Sequence, residues 1–129
     1  MSSQKKNSRL DAAKILSEWL EFGSFPENKL SKIEDSRYFV MELVHGCIRK
    51  HIILDWIMNQ WIKKRPSFLT QAIIYIGFYQ ILFMSNTEIY AAINECVEAA
   101  KKQSNGLGSA KLVNAVLRKC DRESEKLIK

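Results

Sequence analysis

The segment from Ser67 to Met84 constrains this chain more than any other. It runs for 18 residues without a turn signal and is apolar nearly all round. Runs such as Ile73-Ile74-Tyr75-Ile76 have the composition of strands, but strands rarely exceed about 8 residues, so length assigns a helix. A helix that is apolar on every side is normally enclosed by others. The pattern therefore predicts an all-α bundle with this helix at its centre. The most apolar stretch, Ala72 to Met84, is shorter than the roughly 20 residues needed to span a bilayer, and Gln80 sits inside it. A buried helix is expected, and no membrane association.

Around it the 3.6-residue period recurs. A first helix is predicted from about Arg9 to Phe22, capped by Ser8, with Asp11 in its first turn and Leu10, Ala13, Leu16 and Leu20 as its stripe. Gly23 and Pro26 punctuate its end. A short helix over Glu27 to Ile33 follows. A third, from an Asp35-Ser36 cap to Arg49, carries Phe39, Val40, Leu43, Val44 and Cys47. Gly46 inside it costs about 1 kcal/mol relative to Ala, and a close helix crossing is the expected compensation. A break near Lys50-His51 leads to a fourth helix bearing Leu54, Ile57 and Trp61, ended by Pro66. After the turn Ser85-Asn86-Thr87, a sixth helix is predicted over Glu88 to Lys102, with Ile89, Ala92, Cys96 and Ala99 inward. Asn105 to Gly108 reads as a loop. Ser109 is the expected cap of a seventh helix with Leu112, Val113, Val116, Leu117 and Cys120 facing the core. The result is a bundle of about seven helices in one domain, residues 1–129, with 1–8 and 122–129 frayed.

Composition agrees. The chain has 129 residues, 47% hydrophobic and 26% charged, with only 5 Gly and 2 Pro. That is ordinary globular usage for one domain with short loops. The N-terminus is polar and shows no secretory signal. Cys47, Cys96 and Cys120 are odd in number and widely spaced, which argues for a reducing, cytoplasmic setting rather than a disulfide framework.

Catalytic chemistry finds little support. His45, Cys47 and His51 are close in sequence, but Cys47 falls on the inward stripe, where free cysteine behaves as a small apolar residue, and a fourth zinc ligand is missing. Gly106-Leu107-Gly108 follows no strand, so no nucleotide loop is supported. Glu95 and Glu98 lie one helical turn apart, a common solvated arrangement. No enzyme activity, metal or cofactor is expected.

Charge is more informative. The formal net charge is +6, and from Cys96 onward eight basic residues face four acids. Lys5, Lys6, Arg9 and Lys14 cluster at the other end. Further clusters are Arg49-Lys50-His51 and Lys63-Lys64-Arg65. If the first and last helices lie side by side, Lys5, Lys6, Arg9, Lys14, Arg118 and Lys119 merge into one basic face able to hold the phosphates of RNA. A solvated surface is the plain alternative. Asn94 and Asn114 are polar on otherwise apolar helices. They either bond to RNA or satisfy one another or a loop carbonyl inside the protein, and the internal role is the favoured one. Position in the apolar helix favours packing for Tyr79 and Gln80. Trp61 is assigned to the core by its phase, while Trp19 and Trp56 are not placed.

Five local patterns occur in order: Arg9-x-x-Ala12-x-x-x-Leu16; Glu42-Leu43-Val44-x-Gly46-x-x-Arg49 with Leu54-Asp55; Gly77-Phe78-Tyr79-Gln80-Ile81-Leu82; Ala92-Ile93-Asn94-Glu95-x-Val97-Glu98; and Leu112-Val113-Asn114-Ala115-Val116-Leu117-Arg118. Together they resemble the NusB fold family over about Ser8 to Arg122. That family includes NusB antitermination factors and the N-terminal domain of RsmB-type 16S rRNA cytosine-C5 methyltransferases. The resemblance implies an all-helical RNA-binding protein that acts on the leader of rRNA transcripts with a small ribosomal protein as partner, and no DNA. It also implies contact with RNA at the start of the first helix, where this chain keeps Arg9 and Lys14 but has Leu10 and Asp11 between them. The Gly77-x-Tyr79-Gln80 and Asn114-to-Arg118 runs are nearer to the methyltransferase domains, which recognise small-subunit rRNA. A helical module that has lost RNA binding and keeps only protein contacts is the remaining alternative.

Overall fold

The computed structural model describes residues 7–103 and 106–128, which form seven α-helices and no strand. They are α1 Ser8–Phe22, α2 Glu27–Leu30, α3 Arg37–Arg49, α4 His51–Trp61, α5 Phe68–Phe83, α6 Ile89–Lys101 and α7 Gly106–Ile128. No helix among the described residues is long and apolar enough to cross a membrane.

The apolar segment is the central helix, as its composition requires. Every residue of α5 from Thr70 to Gln80 is buried, and the helix packs against α1, α3, α4, α6 and α7. Ser67 caps it, its hydroxyl accepting from the Thr70 backbone N–H at 3.2 Å. The three cysteines are free and buried.

Two glycines set how closely α5 approaches its neighbours. A Cβ on Gly46 would run into the ring of Tyr79, and one on Gly77 would meet the methyl groups of Leu117. The first contact is the close crossing of α3 and α5 that Gly46 implied, and the second joins α5 to α7. Gly23 ends α1 in the left-handed region at φ 72°, a conformation glycine adopts without a Cβ penalty.

Several element ends depart from the sequence reading. The α1 cap is Asn7, whose Oδ1 accepts from the Leu10 N–H at 3.1 Å, and Ser8 is the first helical residue. Helix α2 is shorter than expected and closes through turn bonds from Lys32 and Ile33. Ser36 stands at the α3 cap position but makes no capping bond. It adopts φ 59° and ψ 32°, whereas a capping side chain is normally carried on extended backbone. Ser109 is no cap at all. Helix α7 begins at Gly106, packed so tightly on the carbonyl of Lys101 that a Cβ would collide with it. Ser109 is therefore one turn inside and buried, its hydroxyl accepting from Thr70 Oγ1 at 3.3 Å. The stretch from residue 122, expected to fray, is helical as far as Ile128, and Leu127 packs on the edge of the core.

Candidate nucleic-acid interface

The Cys/His grouping does not assemble. Cys47 is completely buried, and its thiol is pushed well up, first by burial and then by Cys96 beside it. His45 Nε2 turns instead to Glu27 Oε2 at 3.1 Å. His51 Nδ1 donates to the Ile48 carbonyl at 2.8 Å, with its ring edge-on to Trp19 at 5.2 Å. Among the described residues no group of three or more His, Cys, Asp or Glu side chains is placed to hold a metal. An open cavity of about 440 Å³ lies between the starts of α5 and α7. Its polar side chains are already engaged with one another, the Thr70 hydroxyl donating to Ser109 Oγ and accepting from Gln103 Nε2 at 3.1 Å.

Buried polar groups mostly tie helices together. Tyr75 donates to Asp55 Oδ1 at 2.6 Å, and Arg65 Nη1 donates to Asp55 at 3.0 Å and to Gln71 Oε1 at 2.9 Å. Burial pushes the Asp55 carboxyl up, but the bonds from Tyr75, Arg65 and Asn59 outweigh it and hold the group below the ordinary carboxylate range. Tyr79 donates to Glu42 Oε2 at 2.6 Å and accepts from Arg49 Nη2 at 3.3 Å. Burial, then Glu42, push its hydroxyl up to about 12.

The basic residues distribute differently from the expected single face. Lys5 and Lys6 lie outside the described residues. Helices α1 and α7 do not pack side by side; α5 and α6 each touch both and bridge them. The physical reason is that α1 buries Ala12, Ala13, Ile15 and Leu16 against α5 and α3, while α7 spends its stripe on α6 and α5. Arg9 is half-buried, its Nε donating to Gln80 Oε1 at 3.0 Å and its guanidinium 5.0 Å from the Phe39 ring centre. It is a latch across α1, α5 and α3. The same α3–α5 seam carries Arg49 and Lys50, with Lys50 Nζ 4.9 Å from the centre of the Phe83 ring. Lys14 is exposed on α1. On α7, Arg118 and Lys119 diverge. Arg118 reaches toward Tyr90 of α6, 6.0 Å from its ring centre. Lys119 lies on the other flank, 5.2 Å from the centre of the Trp61 ring.

Two further sequence expectations shift. Asn94 is exposed and makes no hydrogen bond to another described residue, so the internal role fails for it. Asn114 is half-exposed, and its Oδ1 accepts from Arg118 Nε at 2.9 Å. Tyr79 and Gln80 are buried, and Trp61 packs edge-on to Phe78 at 5.9 Å. Trp56 is 56% exposed. Sequence reasoning passed over Tyr90, which is 66% exposed on the same flank as Arg118. An aromatic one turn before Asn94 was the available signal.

A model of the NusB family matches residues 6–122. The chain belongs to the NusB family. A probable ribosomal RNA small subunit methyltransferase B of Synechocystis sp. is 37% identical over 94 residues, covering 69% of this chain and 20% of that protein. The transcription antitermination protein NusB of Syntrophomonas wolfei is 30% identical over 90 residues, covering 67% of this chain and 66% of that protein. Its counterpart in Ruminiclostridium cellulolyticum is 32% identical, with 69% of this chain and 63% of the relative covered. The alignments thus span about a fifth of the methyltransferase and a little under two thirds of the NusB proteins. The NusB fold is matched in a crystal structure of antitermination factors NusB and NusE in complex with dsRNA, with TM-score 0.79 at 20% identity over 90% of this chain and 94% of that one.

Proposed function

We propose that this NusB-family chain is a non-catalytic, cytoplasmic RNA-binding protein that acts on rRNA transcripts in transcription antitermination, with a small ribosomal protein as partner. The observation that carries the reading is the NusB family match over residues 6–122. The exposed cations Lys14 and Arg118 agree with it. The RNA-contacting set is Lys5, Lys6, Arg9, Lys14, Arg118 and Lys119. Arg9 serves it in part by position, since its guanidinium is engaged with Gln80 and Phe39. Lys14 and Arg118 are exposed members, and each phosphate they neutralise adds about 0.7 to the slope of log affinity against log salt for single-stranded RNA.

A second reading is favoured by the identity to methyltransferase B relatives. In it the same domain recognises small-subunit rRNA for an enzyme whose methyl-transfer machinery lies elsewhere. Both readings require RNA affinity, and the loss of it leaves only a protein-interaction module. The test is a salt series of RNA binding by the protein and by a Lys14→Glu, Arg118→Glu double variant. The variant is expected to bind more weakly with a flatter slope. An unchanged affinity and slope would remove both residues from the interface, and no RNA affinity in the parent protein would overturn the function.

A further inference from the structure

The stretch from Glu18 to His45 reverses the charge of the chain. It holds six acids against three Lys and Arg, while the whole protein carries a net charge of +6. Lys29 Nζ is paired with Glu18 Oε1 at 2.8 Å, and Arg37 folds back, its Nε donating to the Ile33 carbonyl at 2.9 Å. Glu21 and Glu34 are exposed and make no ion pair among the described residues. Glu27 meets His45 through Oε2 alone, so its Oε1 is left to accept from a visiting cation.

The same stretch carries the three most exposed aromatic side chains among the described residues: Phe22 at 71%, Phe25 at 82% and Tyr38 at 84%. Single exposed aromatics are ordinary, but several around one apolar opening mark a contact surface. That opening exists. A cavity of about 220 Å³ lies between α2 and α3, lined by Glu27, Leu30, Ser31, Arg37, Met41 and His45. Leu30 and Met41 belong to the edge of the core and supply its apolar wall. Phe25 stands two residues before Glu27. Tyr38 is three residues before Met41, hence its neighbour on the surface of α3. The Glu18–Lys29 pair brings the end of α1, with Phe22, against α2. A cavity of this size is below the roughly 300–1,000 Å³ of a small-molecule site and suits one large side chain.

We infer that the lobe formed by the end of α1, α2 and the start of α3 is a docking site for a basic peptide segment of a partner protein, anchored by one aliphatic or aromatic side chain. The anchor enters beside Leu30 and Met41, with Phe25 and Tyr38 on its flanks. Lysine or arginine side chains next to the anchor meet Glu21, Glu27 and Glu34. Charge decides the partner class. The acids repel a nucleic-acid strand or an anionic lipid surface and attract a cationic segment, and the exposed rings accept cations over their faces. The site shares no residue with the proposed RNA-contacting set and does not depend on it.

The test uses the full chain and three pools of short fluorescein-labelled peptides. In the first, one leucine, isoleucine, phenylalanine or tryptophan is flanked by lysine and arginine. In the second, the same residue is flanked by glutamate. In the third, alanine replaces the anchor among the basic residues. The first pool is expected to bind about tenfold or more tighter than the others and to shift the amide NMR resonances of residues 27–45. Tyr38→Ser and Glu34→Lys change exposed positions, and unchanged thermal melting confirms that each variant folds. Each is expected to lower affinity for the first pool about fivefold, while Tyr90→Ser, an exposed aromatic of α6, is expected to leave it unchanged. No binding, equal binding of all three pools, or equal losses in all three variants would overturn the docking site. Resonance shifts confined to residues outside 18–45 would do the same, as would an RNA strand that shifts these resonances in place of the peptides. None of these results bears on the RNA-binding function, which is read in its own salt series.

Discussion

Replacing Gly46 by Ala is expected to destabilise the protein, although alanine is the better helix former. The exchange gains about 1 kcal/mol in helix propensity. Against that, the new Cβ would occupy space held by the far edge of the Tyr79 ring. That ring cannot swing away freely: it is 3% exposed, and its hydroxyl is bound to Glu42 at 2.6 Å and Arg49 at 3.3 Å. Overpacking of this kind costs about 1–3 kcal/mol, and loss of the charge-assisted hydrogen bond adds about 2 kcal/mol. The net expectation is a loss of about 2–4 kcal/mol, which for a chain of this size lowers the melting temperature by about 10 °C. Gly77→Ala is the internal control. Its Cβ would meet the methyls and Cγ of Leu117, a side chain that no hydrogen bond holds in place, so a smaller net cost of about 1 kcal/mol is expected. Circular dichroism melts and urea titrations of both variants measure the difference. In a Tyr79→Leu background the Gly46→Ala cost is expected to shrink by about 1–2 kcal/mol, because the two changes share one contact. A Gly46→Ala protein as stable as the parent, or additive behaviour in the double variant, would refute the close α3–α5 crossing.

Other consequences follow from the same packing. Burial raises the Cys96 and Cys120 thiols to about 12, so near pH 8 their thiolate fraction falls on the order of a thousandfold below that of a free cysteine; Ellman's reagent is expected to react with all three cysteines only after unfolding, and rapid labelling of the native protein would contradict their burial. The Asp55 carboxyl is depressed by its partners, so its stabilising contribution is present above the unfolded value of about 3.9 and is lost as pH falls through the lower folded value. Urea midpoints of the parent are expected to drop on acidification below about pH 4, and Asp55→Asn to remove part of that slope; identical slopes would deny the Tyr75–Asp55–Arg65 network a role. Ser67→Ala removes the α5 cap and is expected to cost about 1 kcal/mol in urea unfolding.

The elements were largely legible because their signals are local. The length of the apolar Ser67–Met84 run selects a central helix over strands, and Gly46 inside a helix implies a close contact without naming its partner. Element ends were harder. Asn7 and Ser8 are both capping residues, and choosing between neighbours needs the actual backbone angles. Ser109 looked like a cap because the close approach of Gly106 to Lys101 is a tertiary fact. The site was less legible still. Helical phase tells which residues leave the core, but not which helices stand next to each other. Hence the merged basic face required α1 beside α7, while the fold bridges them through α5 and α6. For the same reason the latch from Arg9 to Gln80, 71 residues away in sequence, leaves no local trace, and nothing local distinguishes the exposed Asn94 from an internal amide.

The central claim, that this NusB-family domain recognises RNA from rRNA transcripts, is tested most directly by one titration. A labelled single-stranded rRNA-leader fragment and a scrambled RNA of equal length and composition are bound to the purified protein across a salt series. The account predicts preference for the leader together with a log–log salt slope that reports several phosphate contacts at about 0.7 each. Equal, weak binding to both RNAs, or affinity indifferent to salt, would contradict it.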